Sequence, residues 1–118
     1  MIEIKINHIK EYKRNRKSHS DYSFGGWYLI KNKVNNMCYI GKSIEPIERL
    51  KQHLYPSTSK TQIDKEINFF GENNFTFYVV DFYKKYGIDF FNRSLELKIE
   101  KNLIKKYNTF YPKGYNLK

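Results

Sequence analysis

Two tyrosines, an arginine, a histidine and a remote glutamate carry side chains whose types and order could act on a single centre. Tyr28 ends the tripeptide Gly26-Trp27-Tyr28, and Tyr39 opens Tyr39-Ile40-Gly41 eleven residues later. Arg49 follows after ten more and His53 after another four, while Glu100 and Asn116 lie far downstream. Phenols and imidazoles pass protons, and a guanidinium steadies an oxyanion. One carboxylate, with phosphate oxygens and water, is a common way to hold Mg²⁺. Together these groups suit hydrolysis of a nucleic-acid phosphodiester, with Lys42 and Ser43 placed after Gly41 to touch phosphate. Taken singly, each has a plainer reading. In a chain with 11 tyrosines, Tyr28 and Tyr39 read as strand residues with buried rings. Arg49 and His53 read as a solvated basic face, Glu100 as half of a buried ion pair, and Asn116 as a turn residue.

The elements that must position them follow from pattern. Gly25-Gly26 leads into Trp27-Tyr28-Leu29-Ile30, a strand by its aromatic and branched content. Asn32 to Asn36 supplies turn chemistry, and Met37-Cys38-Tyr39-Ile40 returns as the second strand of a hairpin. Ser43 or Glu45 caps the next helix, Pro46 suits its first turn, and Ile47, Leu50 and Leu54 form its apolar stripe. On that helix Arg49 and His53 are neighbours one turn apart. Ile63, Ile67 and Phe70 mark a second helix over Gln62 to Phe70, stopped by Gly71. Phe75 to Val80, extending toward Phe82, is a third strand. Ser94 to Tyr107 is a third helix with Leu97, Leu103, Ile104 and Tyr107 inward and Lys98, Lys101 and Lys105 outward. Glu100 falls within its apolar stripe, where a carboxylate is expensive unless paired or metal-bound. Before the hairpin, Ile2, Ile4 and Ile6 alternate like a strand, yet Ile6 and Ile9 could share a helix face. A basic run, Lys10 to Lys17, then carries Arg14, Arg16 and Lys17 as candidate phosphate contacts. The division is an N-terminal arm over 1–24 and a catalytic domain over 25–118.

At 118 residues, 40% hydrophobic and 18% aromatic, the chain is long enough to bury one core. Its net charge of +10 exceeds what solubility requires and is economically explained by a polyanion, DNA being the expected partner. A single cysteine excludes intrachain disulfides and argues against a cysteine zinc cluster. No long apolar run suits a membrane span, and no signal-peptide pattern is present, so an intracellular, cytoplasm-like setting is expected. The Lys, Asn, Ile and Tyr bias fits an AT-rich genome of a phage or mobile-element kind.

The ordered set Gly26-Trp27-Tyr28, Tyr39-Ile40-Gly41, Arg49, His53, Glu100 and Gly114-Tyr115-Asn116 resembles the GIY-YIG nuclease family from about Gly25 to the C-terminus. The resemblance implies an α+β fold, here with a small three-stranded antiparallel sheet flanked by helices. It also implies hydrolysis of DNA using one divalent metal, Mg²⁺ or Mn²⁺. Carried over position by position, it makes Tyr28 the general base with Tyr39 beside it and a pKa lowered by Arg49, Lys42 or the metal. Arg49 stabilises the transition state, His53 accepts or orients a proton, Glu100 holds the metal, and Asn116 positions metal or substrate. Two departures stand out. Trp27 replaces an aliphatic residue, and the second histidine that some members carry after the first helix is missing around Ser57 to Gln62. The alternative is a basic nucleic-acid-binding module of the same fold without catalysis. A basic membrane-surface protein is a third reading.

Overall fold

The computed structural model describes residues 1–13, 25–56, 61–87 and 92–117. Four strands and four α-helices run in the order β1 (Ile2–Ile4), α1 (Ile6–Glu11), β2 (Gly26–Asn32), β3 (Cys38–Ser43), α2 (Pro46–Leu54), α3 (Gln62–Phe70), β4 (Phe75–Phe82) and α4 (Arg93–Lys106). The sheet is antiparallel with strand order β1-β4-β2-β3. Four strands, not three, therefore make the sheet. The expected three become four because β4 leaves one edge free, and Ile2, Glu3 and Ile4 pair with Val79, Tyr78 and Phe77 along it. The first residues accordingly do more than form an arm, since Ile9 of α1 is fully buried against the core. Arg14, Arg16 and Lys17 lie outside the described residues.

Alternation along β2 splits the core into two. Tyr28 and Ile30 face one side, where α1, α2 and α3 bring Ile9, Leu50, Ile63 and Ile67. Trp27 and Leu29 face the other, against Ile99, Leu103 and Ile104 of α4. Trp27 is fully buried, edge-on to Tyr83 at 4.9 Å, and its indole N–H has no partner among the described residues. The helix ends have local causes. Ser43 Oγ accepts from the Glu45 N–H at 2.9 Å to open the turn into α2, with Pro46 at its start. Thr61 and Asp64 form a capping box at the start of α3.

The C-terminal segment closes the outer edge of β3. Tyr115 N–H donates to Cys38 O at 2.9 Å, and its hydroxyl accepts from the amides of Asn32 and Asn35. Gly114 is required here, because a Cβ on it would lie 2.4 Å from the Thr109 backbone.

Candidate active site

Tyr28 and Tyr39 project from the same face of the β2–β3 hairpin, because Tyr28 pairs with Gly41 and Ile30 with Tyr39. Two-residue periodicity does the rest. The Tyr28 ring lies over Gly41 so closely that a Cβ there would be 2.2 Å from Tyr28 Cζ and Oη. Glycine in Tyr39-Ile40-Gly41 is thus what makes room for the first tyrosine.

His53 comes from α2, on the turn after Arg49, and packs 5.6 Å from the Tyr28 ring and 5.8 Å from the Tyr39 ring, centroid to centroid. Its Nε2 is 2.8 Å from Tyr28 Oη, and its Nδ1 is 2.5 Å from Asp64 Oδ1. All three side chains are buried. A carboxylate that accepts the Nδ1–H leaves Nε2 to accept from the Tyr28 hydroxyl. A continuous Tyr28–His53–Asp64 chain results. Sequence reasoning had found its first two members. The third left only a faint signal, the Thr61-x-x-Asp64 capping pattern at the start of α3.

Electrostatics shows that Arg49 and Glu100 converge on the same place. The Arg49 guanidinium lowers the pKa of Tyr28, Tyr39 and His53, while Glu100 raises that of both tyrosines. Among the described residues Arg49 makes no salt bridge, and Gln52 Oε1 accepts from it at 3.4 Å. Its charge is therefore left available. For the protein's own groups the direction is opposite to the lowering of Tyr28 expected from Arg49, Lys42 or the metal. Burial pushes Tyr28 well up and outweighs Arg49, and it raises Tyr39 as well. His53 is held below its usual pKa, first by burial and then by Arg49, against the opposing pull of Asp64.

The open part of the site is a cleft of about 290 Å³ lined by Tyr39, Gln62, Glu100, Asn116 and Leu117, among others. Glu100 is half-buried and shifted upward by desolvation, with Glu96 one turn away adding to the shift and Lys42 opposing it. Lys42 Nζ stands 3.9 Å from Glu100 Oε2. A partly desolvated hard oxygen donor facing a cleft is a fitting protein ligand for a divalent cation such as Mg²⁺. Among the described residues no group of three His, Cys, Asp or Glu side chains could hold a metal.

Asn116 bonds chiefly to the backbone of β3. Its Oδ1 accepts from Ile40 N–H at 2.8 Å and from Thr109 Oγ1 at 2.7 Å, and its Nδ2 donates to Ile40 O at 2.9 Å. The amide thus clamps the edge strand beside Tyr39 while also lining the cleft. Ser43 is likewise engaged in the turn into α2.

Comparison with known proteins agrees with the fold. A family model described as the GIY-YIG catalytic domain covers residues 24–116. Among solved structures, the catalytic domain of the homing endonuclease I-TevI is 26% identical, with a TM-score of 0.62 over 80% of this chain and 98% of that one. A point mutant of that intron endonuclease domain is 25% identical, with a TM-score of 0.60 over 80% and 93%. No curated protein sequence matches significantly. With a family model spanning residues 24–116 and a matching fold, this chain belongs to the GIY-YIG nuclease family.

Proposed function

We propose that this nuclease is a divalent-metal-dependent DNA endonuclease in which Tyr28 acts as the general base through His53. The observation that carries this reading is the buried 2.8 Å contact between Tyr28 Oη and His53 Nε2, beside a cleft that holds Tyr39 and Glu100. A phenol whose pKa is raised makes a poor free base. Tyr28 needs no standing phenolate, however, because it can release its proton to His53 as it takes one from the attacking water. Of the two tyrosines, only Tyr28 has such an acceptor among the described residues. Tyr39, on the cleft wall, orients the water from the open side. Arg49 neutralises charge that builds on the phosphate oxygens in the transition state, and Lys42 meets the phosphate beside Glu100. Glu100 is the residue that would hold the cation, Mg²⁺ or Mn²⁺, which supplies positive charge to the scissile phosphate and to the departing 3′ oxygen. The net charge of +10 adds sequence-independent attraction to DNA. The likeness to a homing endonuclease domain favours a role in mobile DNA.

Supercoiled plasmid incubated with the purified protein tests this. Nicking or linearisation is expected with Mg²⁺ or Mn²⁺, is stopped by EDTA, and is lost in Glu100→Ala while salt-dependent binding persists. Intact plasmid across divalent metals, from folded protein that still binds, identifies a binding module instead. Tyr28→Phe is expected to abolish cleavage and Tyr39→Phe to weaken it. The reverse order moves the base to Tyr39.

A further inference from the structure

We propose that Asp64 is a positioning residue of the cleavage site, which fixes His53 in the one tautomer able to accept the Tyr28 proton. This rests on the nuclease reading above. The carboxylate is almost fully enclosed, with 3% of its side chain exposed against 0% for His53. Oδ1 takes the His53 Nδ1–H at 2.5 Å, and Oδ2 takes the Thr61 backbone N–H at 3.2 Å. The Asp64 N–H in turn donates to Thr61 Oγ1 at 3.4 Å. Asp64 cannot swing away from His53 without undoing the cap of α3. The opposite tautomer would set the bare Nδ1 lone pair against a carboxylate oxygen at 2.5 Å, and would aim Nε2–H at the Tyr28 hydroxyl. That arrangement loses both the hydrogen bond and the proton acceptor.

The groups facing His53 come from several elements. Tyr28 and Tyr39 face it from the sheet, Arg49 from its own helix and Asp64 from α3. Glu72 lines with His53 and Asp64 a polar cleft of about 520 Å³, which shares no lining residue with the Tyr39–Glu100 cleft. Burial and then Arg49 keep the resting imidazole neutral, while Asp64 favours the charge it takes on when the Tyr28 proton arrives. At rest the Asp64 carboxylate therefore chooses between two neutral forms.

Asp64→Asn separates the two duties of the carboxylate. An amide has one acceptor where the carboxylate has two. With its oxygen on Thr61 N–H, the amide turns its NH₂ to His53 Nδ1 and imposes the Nε2–H tautomer. The alternative sets NH₂ against the Thr61 N–H, donor to donor. Histidine ¹⁵N NMR of the whole chain reads the tautomer directly, with no need for activity. The expected result is Nδ1–H in the wild type and Nε2–H in Asp64→Asn, with plasmid cleavage falling by at least about a hundredfold, as for loss of the orienting carboxylate in other proton relays. DNA affinity is expected to be unchanged, so the loss falls on kcat rather than KM. An Nε2–H wild type overturns the proposal, as does a folded Asp64→Asn that cleaves at the wild-type rate. If Asp64→Asn does not fold, the wild-type tautomer decides. A wild type with the expected tautomer that cuts no DNA overturns the nuclease reading and this role with it. A cutting wild type with the reversed tautomer overturns the role alone.

Discussion

Gly41→Ala should disable cleavage by displacing one ring, and the size of the effect can be worked out. The added Cβ would stand 2.2 Å from Tyr28 Cζ and Oη, whereas carbon contacts are comfortable near 3.5 Å. The phenol must retreat by about 1.3 Å, which breaks its 2.8 Å hydrogen bond to His53. Overpacking of this kind costs about 1–3 kcal/mol, or a fall in Tm of about 4–12 °C for a domain this size. Gly87→Ala is the matched control. Gly87 has φ +64° and, among the described residues, no atom within 4 Å of its would-be Cβ, so alanine there costs about 1–2 kcal/mol through backbone conformation. Both variants lose stability over an overlapping range, but only Gly41→Ala disturbs the relay. Thermal melts paired with plasmid nicking, run where both variants are folded, separate the effects. The reasoning is refuted if Gly41→Ala nicks at the wild-type rate, or if Gly87→Ala loses cleavage to the same extent.

Other outcomes follow from the same geometry. Glu100→Gln removes a carboxylate whose charged form burial and Glu96 disfavour, so cleavage is lost while Tm holds or rises. His53 titrates below its ordinary value of 6.5 in the fold. As pH falls, the unfolded chain protonates first. The His53 contribution to stability is thus complete above about pH 6.5 and is lost as pH drops through the lower folded value. Tm should fall as pH drops below about 6.5, and His53→Gln should flatten that fall. Ile9→Ala opens a cavity at a fully buried site and should cost about 2–5 kcal/mol in urea unfolding. Asn116→Leu strips partners from Ile40 N–H, Ile40 O and the Thr109 hydroxyl. Each buried group left unmet should cost about 1–3 kcal/mol, visible as faster hydrogen exchange at Ile40.

What the sequence made legible tracks where local chemistry outweighs tertiary context. The helix read over Gln62 to Phe70 is α3 with the same bounds, because a capping residue opens it, an apolar i, i+4, i+7 stripe runs through it, and Gly71 closes it. The hairpin and the helix carrying Arg49 and His53 were equally plain. β1 was not, because Ile2, Ile4 and Ile6 alternate like a strand while Ile6 and Ile9 also fit one helix face. Only the free edge of β4, formed far along the chain, selects the strand. Asp64 was hidden for a related reason. At the third position of a helix it reads as an ordinary capping carboxylate, and nothing local reveals that α2 aims an imidazole at its other oxygen. Asn116 stood out by its place in a motif, but which of its bonds it spends on β3 is a matter of how the tail folds back.

The acidity of Tyr28 is where sequence and structure part most instructively. From sequence, a tyrosine near arginine, lysine and a metal should become a stronger acid, since cations favour phenolate. In the structure the enclosure needed to fix Tyr28 against Gly41 and His53 also strips it of water, and that penalty exceeds what Arg49 returns. A base poised as phenolate and a base locked in a dry hydrogen-bonded chain are different designs. The first works by equilibrium ionisation and would show an alkaline pH limb set by tyrosine. The second works only as a concerted transfer, so its pH limit is set by the group that receives the proton. With His53 neutral down to below its ordinary value, cleavage should stay near its plateau through neutrality and decline on the acid side. A rate that instead climbs toward pH 10, tracking a free phenol, would show that Tyr28 works by ionising rather than by relay.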